Sequence, residues 1–105
     1  MIEVVRACEK EVASLPKIVR EDLADALARL DAGLTLAMPL SRPMTDIGHG
    51  VHELRLRDRA GIYRVFYFLR SQGVIFLLHA MKKKTQSTAP QTIKLVKRRL
   101  AEVLL

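Results

Sequence analysis

Arg55, Arg57 and Arg64, with the run Lys82-Lys83-Lys84, are the residues whose types and spacing could do chemistry. Arg55 and Arg57 alternate with Leu54 and Leu56, the pattern of a strand with one apolar and one polar face. At a strand's rise they stand about 6.6 Å apart on the same face. Arg64 sits between Ile62 and Phe66 in a second strand-like run, so it is an arginine among apolar groups. Such a placement needs a partner or an opening to water. The lysine run leaves a third strand at its end, and the three segments could converge on one concave face. A cluster of this kind suits transesterification of RNA. A 2′-hydroxyl attacks the adjacent phosphate, and charge builds on the phosphoryl oxygens and the leaving 5′-oxygen. Arginine and lysine stabilise that charge without a metal.

A general acid and base are also required. His79, His52, His49 and Glu53 are the titratable candidates. His79 ends an apolar strand, and can be read as an acid–base group or as a core histidine satisfied by its neighbours. Glu53 can be read as a base or as the ion-pair partner of an adjacent arginine. The lysine run is a phosphate-binding patch or a solvated turn. Arg64 is either part of the reacting site or anchored to a backbone carbonyl or carboxylate. In the first case, Arg64→Ala abolishes activity with little loss of folding.

The charge distribution favours a polyanion partner. Residues 1–51 hold six Lys and Arg against eight Asp and Glu, a net −2, whereas residues 52–105 hold twelve against three, a net +9. Nucleic acid is the first candidate for such a basic half, with an acidic protein as the alternative. No glycine-rich phosphate loop and no Cys/His zinc spacing is present, and the basic half lacks paired carboxylates for two metals. The reading therefore calls for no cofactor and no metal. The single cysteine, Cys8, forms no internal disulfide and reads as a small hydrophobe. The charged N-terminus is not expected to serve as a signal peptide, and the longest nearly apolar run, Val74 to Met81, is far too short to span a bilayer. A soluble, cytoplasmic protein without membrane contact is expected.

The chain length, 105 residues, suits one domain over 1–105. Met1 to Val5 reads as a short strand. Cys8, Val12 and Leu15 recur at helical spacing, and Leu15-Pro16 marks a hinge. From Pro16 to Ala32, the residues Val19, Leu23, Ala26, Leu27 and Leu30 form one helix face, with Gly33 placed for a left-handed cap. Thr35 to Gly50 reads as a long loop. Three antiparallel strands follow, over His52–Arg57, Ile62–Leu69 and Val74–Ala80, joined by turns at Asp58–Gly61 and Ser71-Gln72-Gly73. Pro90 opens a last helix whose apolar stripe is Ile93, Val96, Leu100, Val103 and Leu104, with Lys94, Lys97, Arg98 and Arg99 largely off it. The order β-α-α-β-β-β-α predicts an α+β domain: a small antiparallel sheet, an N-terminal helical hairpin and a C-terminal helix, with the helices packed on one sheet face.

Three segments carry a resemblance: His52-Glu53-Leu54-Arg55-Leu56-Arg57, Gly61-Ile62-Tyr63-Arg64-Val65-Phe66-Tyr67, and Leu77-Leu78-His79-Ala80-Met81-Lys82-Lys83-Lys84-Thr85-Gln86. In this order, and ahead of a proline-initiated helix, the set resembles phage-derived HigB-like toxins of the RelE/ParE superfamily. The helical hairpin fits too, so the resemblance covers nearly the whole chain. It implies the toxin half of a type II toxin–antitoxin pair, probed best as a ribosome-dependent mRNA endoribonuclease (an mRNA interferase) that arrests growth. Its partners would then be the ribosome, mRNA and a cognate antitoxin, a small helix-turn-helix protein. The alternatives are a ParE-like inhibitor of DNA gyrase and an inactive relative that only binds antitoxin. By position, the resemblance implies catalytic roles for Arg55, Arg64 and Lys83; His79 joins them as the acid–base candidate, and Arg57, Lys82 and Lys84 as RNA-binding residues. The sequence departs from the RelE pattern at Glu53, where a lysine is usual, and lacks a tyrosine after the last strand.

Overall fold

The computed structural model describes residues 1–70 and 72–105. The elements are β1 (Ile2–Val4), α1 (Arg6–Ala13), α2 (Lys17–Asp31), β2 (Ser41–Pro43), β3 (Val51–Asp58), β4 (Gly61–Leu69), β5 (Ile75–Lys82) and α3 (Pro90–Leu104). They form an α+β domain around one five-stranded sheet in the order β1-β5-β4-β3-β2.

The helical hairpin forms as its sequence dictates. Pro16 caps α2 in an extended conformation, and Leu15 is buried at the hinge. Gly33 takes φ +88°, and the Gly33 and Leu34 amides donate to the carbonyls of Leu30 and Arg29, which closes the helix end. The β3–β4 hairpin turns on Asp58, whose Oδ1 accepts from the amides of Ala60 and Gly61 at 2.8 and 3.2 Å. At the β4–β5 connection, Arg70 N donates to Val74 O and Gly73 has φ +79°. Ser71, the first residue of the expected turn there, lies outside the described residues.

Three expectations are corrected. The sheet is mixed, because β1 pairs with β5 in parallel, while β2–β3, β3–β4 and β4–β5 are antiparallel. The segment from Thr35 to Gly50 is not all loop: Ser41–Pro43 forms β2 on the edge of β3. Its three residues and its proline fit an edge position and left only a loop signature in the sequence. Finally, the helices lie on both faces of the sheet. Cys8, Leu15, Val19, Leu23, Leu27 and Leu30 pack with Leu54, Leu56, Val65 and Leu77 on one face. Val96 and Leu100 of α3 pack with Val51, Phe66, Phe68 and Leu78 on the other. The sheet is apolar on both sides through β4 and β5, so it must be covered twice. Burying a side chain such as Phe66 contributes roughly 2–3 kcal/mol. Gly48 belongs to the second core by necessity, since a Cβ there would lie 2.8 Å from Leu100 Cδ2.

A β-bulge in β5 decides which groups share the second face. Tyr67 pairs with Leu77 and Phe66 with His79, leaving Leu78 as the extra residue. Strict alternation would place His79 beside Leu77. The bulge turns it to the α3 side, where its ring stacks on Phe66 at 6.1 Å.

Candidate functional site

Register brings the charged residues together. Glu53 pairs with Arg42 of β2 and with Phe66 of β4, and Arg55 pairs with Arg64. Directly paired residues project to the same face. Glu53, Arg55, Arg64 and Arg42 therefore stand together on the α3 side of the sheet, beyond the end of the apolar packing. Two arginines opposite each other repel unless a counter-charge lies between them. Glu53 is that counter-charge. Its side chain is fully buried, and Oε1 accepts from Arg55 Nε at 3.0 Å and Arg42 Nε at 3.3 Å. Arg64 Nε lies 3.4 Å from Glu53 Oε2, an ionic contact outside hydrogen-bond geometry. The Arg42 and Arg55 side chains remain 36 % and 34 % exposed, whereas that of Arg64 is 2 % exposed.

Arg64 is committed to the segment after β5. Nη2 donates to the carbonyl oxygens of Gln86 (2.8 Å) and Thr85 (3.3 Å), and Nη1 to Thr88 Oγ1 (3.4 Å). Thr88 Oγ1 in turn contacts Glu53 Oε2 at 3.5 Å. Burial, with Arg55 and Arg42 nearby, lowers the Arg64 pKa against the opposing pull of Glu53. The guanidinium still carries its charge.

The lysines separate by the period of the strand. Lys83, whose amide donates to Ile62 O at 2.7 Å, faces the arginines, and its Nζ donates to Gln86 Oε1 at 3.3 Å. Partial desolvation, then repulsion from Arg55 and Arg64, lowers its pKa below the ordinary lysine value. Lys84 joins Lys83, Gly61, Ile62, Thr85 and Gln86 around an open depression of about 470 Å³. Lys82 pairs with Tyr63 and holds its Nζ 6.0 Å from that ring, on the other side of the sheet. Ile62 also walls a neighbouring depression of about 310 Å³ with Pro39, Leu40, Arg55, Leu56 and Arg57. Arg57 is exposed there, past the end of β2.

His79 lies on the same face but in a separate cluster. It is only 9 % exposed, and Nδ1 meets Glu11 Oε1 at 2.9 Å. Arg99 binds the same carboxylate through both terminal nitrogens, at 2.8 and 3.0 Å, and donates to Leu78 O at 2.8 Å. Glu11 Oε1 also accepts from the Ala80 amide at 3.2 Å. Because β1 ends opposite Leu77, this part of the β5 edge has no strand beside it. Glu11 and Arg99 satisfy the edge instead. Burial lowers the His79 pKa, aided by Arg99 and opposed by Glu11. Burial alone would raise the Glu11 pKa; hydrogen bonds from Arg99 and His79 bring it below the ordinary value. Burial and Glu11 push the Cys8 thiol up to about 12, so it is a core residue and not a nucleophile.

Of the residues singled out from sequence, Arg55, Arg64 and Lys83 are brought together around Glu53. Arg57 and Lys84 flank them, and Lys82 and His79 stand apart. His52 faces the opposite side and stacks on Tyr67 at 5.2 Å. Arg42 was missed because it sits in a proline-flanked segment read as loop. Arg99, expected off the apolar stripe, is buried; it follows Val96 by three and precedes Val103 by four, so it lies on the stripe. Among the described residues no group of three or more His, Cys, Asp or Glu is placed to hold a metal. Among the described residues no helix is long and apolar enough to cross a membrane.

The site thus sets partly exposed cations around one buried carboxylate, on the mixed sheet of an α+β domain. The chain belongs to the family described as phage derived protein Gp49-like, whose model matches residues 10–101. Its fold is similar to that of Escherichia coli toxin RelE, solved as a double-arginine mutant in the free state. The TM-score is 0.57 at 19 % identity, covering 95 % of this chain and 96 % of that one. No curated protein matches the sequence.

Proposed function

We propose that the protein is the toxin of a type II toxin–antitoxin pair and cleaves mRNA on the ribosome by metal-independent transesterification. The observation that carries this reading is the charge of the Glu53 cluster. Arg42, Arg55, Arg64 and Lys83 surround a single carboxylate, so the cluster carries a net charge of +3, and Lys83 lines an open depression beside it. A phosphate is the natural complement.

In this reading Arg55 and Lys83 touch the scissile phosphate, with Arg42 beside them, and stabilise the charge that develops on its oxygens. Donors of this kind are worth roughly 10²–10³ in rate when already in place. Lys83, which faces the arginines at the rim of the depression, hands its proton to the leaving 5′-oxygen, while the proton of the attacking 2′-hydroxyl passes to solvent water. Arg57 and Lys84 bind the flanking RNA backbone. Arg64 and His79 serve as positioning residues, the first through the segment 85–88 and the second through the β5 edge. The partners are mRNA, the ribosome and an antitoxin, taken to be a small helix-turn-helix protein; an acidic antitoxin segment over the basic face would block phosphate entry.

Mapping mRNA ends after induction tests the reading. New ends within translated messages, strongly reduced in Arg55→Ala and Lys83→Ala, support it. Growth arrest with intact messages and DNA-damage signalling would replace it with a gyrase poison.

A further inference from the structure

Arg64 is a buried guanidinium, yet three of its contacts go to a polar segment, Thr85 to Thr88, that is exposed up to a half-buried Thr88. Burying that group is costly unless the geometry it fixes matters. The segment is further stiffened by Thr85 Oγ1, which donates to Ser87 O at 2.6 Å. What this arrangement presents to solvent is the side chain of Gln86. It stands at the rim of the depression lined by Gly61, Ile62, Lys83 and Lys84, next to the cations of the Glu53 cluster.

We propose that Gln86 is a specificity-determining residue that reads the nucleobase beside the bound phosphate; this rests on the nuclease reading above. The orientation of its amide follows from chemistry. Lys83 Nζ has only protons to offer, so the oxygen of Gln86 must face it, as it does at 3.3 Å. The amide NH₂ is then left facing outward as a donor. A base that enters the depression against Ile62 meets a donor and must present acceptors. Guanine offers O6 and N7 on one edge, whereas adenine sets an amino donor beside N7. The site therefore selects guanine over adenine. Single-stranded RNA, with its bases free of a partner strand, allows such edge reading.

The Arg64 bonds reach the backbone of residues 85 and 86, so a change of the Gln86 side chain leaves the segment anchored. The test compares cut-site sequences in mRNA treated with the wild type, Gln86→Ala and Gln86→Glu in a translating system. The readout is the base distribution at the cut, not the rate. The wild type is expected to favour guanine over adenine about tenfold at one position near the cut, the scale of one base-edge contact. Gln86→Ala flattens that preference. Gln86→Glu replaces the donor with an acceptor and shifts the preference toward adenine. Cleavage by the wild type with no purine preference, or a preference unchanged in Gln86→Ala, overturns the base-reading role and leaves the nuclease reading standing. Messages left uncut by the wild type overturn the nuclease reading and the base-reading role with it.

Discussion

Glu53 accepts a hydrogen bond from Arg55 Nε at 3.0 Å although the two are neighbours on the same strand face, and the carboxylate side chain is sealed from solvent while the arginine side chain is one-third exposed. The acid is thus the fixed point and the arginine the part open to solvent. Glu53→Gln keeps the size but removes the charge, leaving Arg42, Arg55 and Arg64 to repel one another. Breaking a buried ion pair by removing one partner costs about 3–5 kcal/mol. Urea denaturation of Glu53→Gln should show a loss of that order, together with loss of toxicity. An unchanged midpoint would mean that the arginines do not depend on the carboxylate.

Arg64→Ala removes the anchor of residues 85–88 and leaves the Thr85 and Gln86 carbonyls without their donor. Toxicity should be lost, and unlike an exposed site residue this one should also destabilise the fold, by about 2–4 kcal/mol. Amide exchange at residues 85–88 should rise in the variant even under conditions where the sheet stays protected. Exchange that remains at the wild-type level would show that the segment holds itself.

Arg55→Ala and Lys83→Ala should behave differently. Both side chains are partly exposed, although Arg55 also pairs with the buried Glu53. Stability should stay within about 0.5 kcal/mol for Lys83→Ala, because surface changes away from cores have small effects. Cleavage should fall by roughly 10²-fold or more for each. Thermal melting and primer extension on the same preparations separate the two effects.

Acid should weaken the fold through the Glu11–His79–Arg99 cluster. His79 has a folded pKa below its ordinary 6.5, and Glu11 one below its ordinary 4.5. In both cases the unfolded chain takes up its proton first as pH falls. The stabilisation is complete above the unfolded values and is lost as pH drops from each of them through the folded pKa. Denaturation midpoints should therefore decline from just above pH 6.5 downward. His79→Gln should flatten the upper part of that decline and leave the part due to Glu11. An upper slope that persists in His79→Gln would assign it to another group.

Much of this architecture was legible in the sequence, for identifiable reasons. The hairpin helices announced themselves through the Val19–Leu30 face, Pro16 and Gly33, because period and caps are local signals. The three long strands followed from alternation at Leu54 and Leu56 and from the turn at Asp58–Gly61. The face assignment of α3 was not legible, since a strand apolar on both sides gives no sign of which helix covers which face. The bulge at Leu78, which decides the direction of His79, left no mark in a run of hydrophobes. At the site, Arg55, Arg64 and Lys83 were visible as cations on adjacent strands. The partnership of Glu53 with Arg42 was not, because it depends on a three-residue edge strand within what reads as loop. Likewise, Glu11 and Arg99 are 88 positions apart and meet beside the part of β5 that lies beyond the end of β1.

Whether the cations around Glu53 cut RNA is tested by mapping mRNA ends at nucleotide resolution shortly after induction. New ends should appear inside translated messages with wild type and fall by roughly 10²-fold or more with Lys83→Ala at equal protein level. Growth arrest by the wild type with every message intact would contradict RNA cleavage by this cluster.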